Sequence, residues 1–181
     1  MPRDDRVLRL CYTGRFYTFR RVDQVVAAVA GMDGVQLVVA GPEPPAVLRD
    51  AAKRWPAKFE LHGELSHAQA LALQRSADAL LSIGNAGTVQ SPGKLFEYFG
   101  AGRPVLHVAS NRLDPQIGLI ASLRRGLSCD NEASAVRERL LELRNLKATA
   151  GIAVRFDLSN ESVQRFGWTA IGRLLADELA L

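Results

Sequence analysis

Residues 35–40 read Val35-Gln36-Leu37-Val38-Val39-Ala40 (VQLVVA), an apolar run interrupted only by a glutamine. A strand with one wet face alternates polar and apolar residues, whereas a strand covered on both faces is apolar almost throughout. This run is of the second kind, so it predicts a strand with layers of chain above and below it. Segments at helical spacing flank it on either side. Upstream, residues 22–32 (VDQVVAAVAGM) predict a helix ending at a glycine-containing turn, and residues 7–12 (VLRLCY) predict the strand before it. Downstream, Pro45 to Arg54 predicts a helix and Phe59 to His62 a short third strand before Gly63.

The alternation continues to the end of the chain. Ser66 and Gln69 have capping-box spacing and open a helix to about Ala77. Asp78 to Ile83 predicts strand four, Lys94 to Gly100 a helix, Pro104 to Ala109 strand five and Leu127 to Cys129 strand six. A helix over Glu132 to Lys147 puts Val136, Leu140 and Leu143 on one face, and a last helix over Glu161 to Leu179 groups Val163, Phe166, Ala170, Ile171, Leu174 and Leu175. Strands alternating with helices pair in parallel through right-handed crossovers. The expected fold is therefore α/β: a Rossmann-like doubly wound parallel sheet of about six strands with helices on both faces. Such sheets bind ligands beyond the carboxyl ends of their strands, which directs attention to the loops after strands one, three and four.

Composition narrows the class. The chain has 181 residues, 48% of them hydrophobic, with 23 Lys and Arg against 19 Asp and Glu for a net charge of +4. That is the length of one domain, and the balance excludes disordered and collagen-like classes. An uncharged apolar run of the ~18 residues needed to span a bilayer is missing, and the start MPRDDR lacks the apolar stretch of a signal peptide. The chain is read as soluble and cytoplasmic. Cys11 and Cys129 have no CxxC or Cys/His spacing, so two reduced thiols in strand cores are expected rather than a disulfide framework or a zinc site. The sequence pI is about 9.4, yet its basic residues are spread along the chain. A diffuse excess points to a local anion site rather than a nucleic-acid surface.

Two loops carry candidate chemistry. After strand one, Gly14 allows close backbone approach, and Arg15, Arg20 and Arg21 offer forked donors matched to phosphate oxygens. The competing reading is three solvated surface charges. After strand four, residues 84–94 contain three glycines before Lys94 and run into a helix, whose amino-terminal amides and dipole favour an anion. The P-loop pattern fails, because Thr88 and Leu95 stand where Gly and Ser or Thr are required. Glu97, one turn after Lys94, is either a ribose acceptor or half of an exposed ion pair. His62, His67 and His107 read as structural or surface residues. Neither a Ser-His-Asp order nor paired carboxylates stand out, so the catalytic residues are unassigned.

Ser91-Pro92-Gly93-Lys94-Leu95-Phe96-Glu97-Tyr98-Phe99-Gly100-Ala101-Gly102-Arg103-Pro104-Val105 (SPGKLFEYFGAGRPV) closely resembles the donor-binding helix of GT-B glycosyltransferases of the group-1, family-4 type. Tyr12-Thr13-Gly14-Arg15-Phe16 resembles the family's phosphate-contacting start, Leu61-His62-Gly63-Glu64-Leu65 its turn beside the nucleobase, and residues 74–81 (QRSADALL) its approach to the fourth strand. The likeness spans residues 7 to 110, and the last helix also resembles the family's terminal helix.

The resemblance implies that Gly14, Arg15 and Arg20 or Arg21 hold the donor diphosphate, with Gly93 and Lys94 presenting backbone N–H groups to it. It implies that Glu97 accepts ribose hydroxyls and that Gly63 and Leu65 lie beside the base. The sequence departs from the family in two places. Val89 stands eight residues before Glu97, where the paired-glutamate motif has its other acid, and the basic pair lacks a following glycine.

By the same resemblance, residues 1–181 form a single nucleotide-sugar-binding domain, the C-terminal half of a GT-B enzyme without its N-terminal acceptor domain. Its start is read as that of an excised domain rather than of a split subunit. The implied activity is sugar transfer from a nucleotide-diphosphosugar to an unknown acceptor, with positive charge stabilising the leaving diphosphate and with neither metal nor tightly bound cofactor. The implied partners are the nucleotide sugar and the missing N-terminal domain or partner subunit. Nucleic acid is not expected as a partner, and peripheral contact with the inner face of the membrane is expected only through the parent. The isolated chain is expected to be inactive. The alternatives are a non-catalytic binding or assembly module with a decayed donor site, and half of a nucleotide-sugar epimerase of GT-B architecture.

Overall fold

The computed structural model describes residues 6–85 and 93–179. Within them the chain runs β1 (Leu8–Thr13), α1 (Asp23–Ala30), β2 (Val35–Ala40), α2 (Ala46–Arg54), β3 (Phe59–Leu61), α3 (His67–Ser76), β4 (Ala79–Ile83), α4 (Lys94–Gly100), β5 (Val105–Ala109), α5 (Pro115–Ser122), β6 (Gly126–Asp130), α6 (Ala133–Ala148) and α7 (Ile152–Arg155). A 3-10 turn, Glu161–Phe166, and α8 (Trp168–Leu179) complete it. The strands form one parallel sheet in the order β3-β2-β1-β4-β5-β6. This is the doubly wound arrangement, with the order reversing between β1 and β4.

The apolar runs are explained by what covers them. Leu8, Leu10, Leu37, Val39, Leu81 and Val108 share a cluster with Val25 and Val29 of α1, Leu48 of α2 and Val136, Leu140 and Leu143 of α6. On the opposite face Cys11, Leu80 and Val105 pack with Leu95, Tyr98 and Phe99 of α4 and Ile120 of α5. Each fully buried Leu, Val or Phe side chain contributes about 1.5–3 kcal/mol relative to exposure, so the two clusters are what holds the sheet between its layers. Helix α3 starts as its sequence requires. The Gln69 amide donates to Ser66 Oγ at 3.3 Å, and the Ser66 amide donates to Gln69 Oε1 at 3.0 Å.

The carboxyl-terminal part differs from the sequence reading. Instead of one helix from Glu161, the chain makes the 3-10 turn, passes through Gly167 in an extended conformation (ψ 148°), and only then enters α8. The break has a packing cause. Phe166 sits 5.1 Å from the ring of Phe96 and 6.5 Å from that of Phe99, so the turn is tied to α4 before α8 can begin. Helices α5 and α7 have no counterpart in the sequence reading. Asp114 caps α5 by accepting from the Gln116 amide at 3.0 Å, and Pro115 occupies the first turn.

Candidate functional site

Because the strand order reverses between β1 and β4, the connections leaving them diverge and a crevice opens at their carboxyl ends. A cavity of about 320 Å3 lies there. Tyr12, Thr13 and Gly14 line it from β1 and its exit, Leu81, Ser82 and Ile83 from β4, and Lys94 and Tyr98 from α4. Arg15, Tyr17 and Arg20 complete the wall.

Backbone makes the floor. Gly14 has φ +129°, a conformation that L side chains rarely adopt, and its amide donates to the Ala40 carbonyl at 2.8 Å. Gly41 packs against it so closely that a Cβ there would lie 2.1 Å from the Gly14 carbonyl oxygen. Both glycines are therefore required for the β1 and β2 exits to meet. The Tyr98 hydroxyl, fully buried, accepts from the Thr13 amide at 2.9 Å and anchors the end of β1 to α4. Burial pushes its pKa well above the ordinary phenol value, so Tyr98 is a neutral strut.

Arg20 is held on several sides. Its Nε donates to Asn85 Oδ1 at 3.0 Å and its Nη1 to the Tyr12 hydroxyl at 3.2 Å. Its guanidinium carbon lies 5.2 Å from the Tyr17 ring centre and 5.9 Å from that of Phe19, within cation–π range. Those two rings are stacked on each other with centroids 5.2 Å apart and planes 5° from parallel. Burial raises the Tyr12 pKa, against a smaller lowering by Arg20. Arg15 reaches the same cavity from its rim, half-exposed, and pairs with Glu43 at 3.8 Å. Arg21 turns elsewhere. Its carbonyl accepts from Asn131 Nδ2 at 3.0 Å, and the residue borders a separate polar cleft with Gln24, Ser110, Asn111 and Arg112.

Lys94 and Glu97 pair across one turn of α4, Nζ to Oε1 at 3.2 Å and to Oε2 at 3.4 Å. The carboxylate is partly buried and also accepts from Gln74 Nε2 at 2.5 Å. Gly93 caps α4 in a helical conformation, with no atom of the described residues within 4 Å of where a Cβ would go. Gly63 has φ +64°, and its carbonyl accepts from the Gly41 amide at 2.6 Å. Gly63 and Leu65 follow β3 and are not among the residues lining the cavity. Val89, and residues 86–92 of the glycine-containing loop generally, lie outside the described residues.

Two of the three histidines have close polar neighbours, and His67 is exposed at the start of α3. His62 Nε2 meets Glu60 Oε1 at 2.6 Å. His107, fully buried in β5, lies between Ser82 Oγ at 3.1 Å and Asp114 Oδ2 at 3.0 Å. Burial pushes the Asp114 carboxyl up, but hydrogen bonds from His107 and the Gln116 amide outweigh it and hold the pKa below its ordinary value. Among the described residues no group of three or more His, Cys, Asp or Glu side chains is placed to hold a metal ion, and no helix is long and apolar enough to cross a membrane.

Sequence reasoning did not single out Tyr12, Asn85, Gln74 or Tyr98. Tyr98 was discoverable in principle, one turn beyond Lys94 on a helix whose start faces the strand ends. Asn85 and Gln74 gave no local signal, because their partners are 65 residues and 61 or 23 residues away in sequence.

No known protein-family model matches the chain, and no curated protein does. Solved structures do. Sucrose-phosphate synthase from Thermosynechococcus elongatus superimposes with a TM-score of 0.74 at 18% identity, over 98% of this chain and 47% of that one. Anabaena Alr3699/HepE in complex with UDP-glucose gives 0.73 at 14% identity, over 96% and 49%. UDP-GlcNAc 2-epimerase from Neisseria meningitidis bound to UDP-GlcNAc gives 0.58 at 12% identity, over 96% and 45%. The chain has the fold of one Rossmann-like half of GT-B architecture and spans about half the length of each of these structures.

Proposed function

We propose that this chain is the donor-binding half of a glycosyltransferase, taking a nucleoside-diphosphate sugar in the crevice between β1 and β4. The observation that carries this reading is the restrained Arg20 guanidinium at the switch point, beside a backbone floor at Gly14 and with Arg15 and Lys94 on the same cavity. Phosphate oxygens fit forked guanidinium donors and free main-chain amides, and held cations oppose the charge that builds on a departing diphosphate. In this arrangement Arg15 and Arg20 take the diphosphate with the amides of Gly93 and Lys94, Gly14 lets the backbone approach it closely, and Glu97 takes the ribose hydroxyls. Gly63 and Leu65, at the β3 exit, stand on the side where a base would extend. Arg21 is left to the neighbouring cleft.

Support also comes from similar structures solved with UDP-glucose and with UDP-GlcNAc. The second of these is an epimerase, which keeps half of a nucleotide-sugar epimerase as the alternative. Sugar transfer itself requires acceptor and proton-transfer groups from a second domain or subunit, as does epimerisation. Calorimetric titration with UDP, GDP, ADP and TDP and their sugar conjugates tests the shared premise. Saturable binding of at least one is expected, and a folded protein that binds none of them overturns the proposal.

A further inference from the structure

Helix α3 contributes one polar side chain to the interior at the point where β1 and α4 meet. Gln74 is fully buried, and its amide nitrogen uses both hydrogens: one to Thr13 Oγ1 at 2.8 Å, the other to Glu97 Oε1 at 2.5 Å. Its own Oε1 is buried without a hydrogen-bond partner among the described residues. Turning the amide over would let the Thr13 hydroxyl donate to that oxygen but would set it against the Glu97 carboxylate, two acceptors in contact, so the observed orientation is the one Glu97 dictates. A buried amide that leaves its carbonyl unsatisfied while both N–H groups converge on a hydroxyl and an acid is arranged for the acid.

The consequence lies in how the Glu97 oxygens are shared. Oε1 takes Gln74 at 2.5 Å and Lys94 at 3.2 Å, whereas among the described residues Oε2 has only the longer Lys94 contact at 3.4 Å. Lys94 is a point charge on a flexible stem and cannot fix a carboxylate plane alone. Gln74 can, because Thr13 holds it from behind and the Tyr98 hydroxyl holds Thr13. We propose that Gln74 is a positioning residue for nucleotide recognition: it clamps one oxygen of Glu97 so that the other faces a vicinal diol, the ribose 2′- and 3′-hydroxyls. This rests on the reading of the crevice as a nucleotide-sugar site.

The test compares a nucleotide with its diol-free counterpart. The probe is whichever of UDP, GDP and ADP the wild-type chain binds most tightly, titrated beside its 2′,3′-dideoxy form. Wild type is expected to prefer the ribonucleotide about ten-fold, as one charge-assisted hydrogen-bonded contact allows. Gln74→Met should lose about five-fold or more toward the ribonucleotide while dideoxy binding stays within about two-fold. Gln74→Asn, too short to bridge Thr13 and Glu97, should behave like Gln74→Met, and Glu97→Gln should abolish the preference so that adding Gln74→Met changes nothing more. Equal weakening toward both ligands, or no weakening, overturns the assignment, since a merely structural glutamine would not distinguish them. If Gln74→Met does not fold, Thr13→Val removes the rear anchor and must show the same selective loss. A wild-type chain that binds UDP, GDP and ADP without ribose preference refutes the clamp alone, whereas one that binds no nucleotide refutes the site and the clamp with it.

Discussion

Replacing Arg20 and Arg21 one at a time separates two neighbouring guanidiniums that local sequence cannot rank. Arg20 lines the crevice with its guanidinium already restrained by Asn85, Tyr12 and two aromatic rings, so little rotamer freedom is lost when an anion arrives. A charge-assisted hydrogen bond to a bound diphosphate is worth about 1.5–3 kcal/mol, hence Arg20→Ala should raise the Kd for a nucleoside diphosphate roughly 10- to 150-fold. Arg21 borders the other cleft and should change the Kd by less than about two-fold when replaced, the residual being long-range attraction screened within a Debye length of ~8 Å at physiological salt. Calorimetry at fixed ionic strength, with circular dichroism to verify folding, measures both. A larger loss for Arg21→Ala than for Arg20→Ala would refute the reasoning, because it would show that the observed cage does not mark the ligand's position.

Three further outcomes follow from the buried polar contacts. Tyr98→Phe strands the Thr13 amide without its acceptor, costs about 1–3 kcal/mol, and should lower the Tm by roughly 2–12 °C in differential scanning calorimetry. Asp114 has a folded pKa below its ordinary 3.8, so its contribution to stability is complete above that value and lost as pH falls through the lower folded one. The wild-type advantage over Asp114→Asn, measured by urea midpoints, should thus be constant above about pH 5 and shrink in more acidic solution. Burial pushes the thiols of Cys11 and Cys129 up to about 12 and about 11, so at pH 8 both should react with a disulfide reagent roughly 100-fold or more slowly than a free thiol, Cys11 the slower.

Elements that announce themselves locally are legible in the sequence. Strand β2 has the bounds that its apolar run predicts, and the Ser66–Gln69 box makes both of its hydrogen bonds. The face of Val136, Leu140 and Leu143 is buried as helical spacing requires. Helix α5 carried a readable signal, an Asp followed by Pro at its start, that its short apolar stretch concealed. The break at Gly167 was not legible, since it depends on Phe166 reaching α4, a contact set by the folded path of the chain. At the site, glycines and arginines after β1 were visible because strand ends are where such residues are informative. Gln74 was not, because a glutamine on a helix reads as solvent-facing until the partners that hold it inside are known.

Gly14 and Gly41 meet main chain to main chain at the β1 exit, beside the crevice that Gly14 helps to line. Altering ligand preference by substitution therefore has no handle at Gly41: any larger residue there displaces the β1 exit, and with it the loop that brings Arg15 and Arg20 to the crevice. Room for change lies at the rim, where Arg15 and Tyr17 project from a loop with exposed side chains that can be exchanged independently of the sheet. The β1 exit thus supplies a fixed main-chain reference, and the rim supplies side chains that can be changed around it.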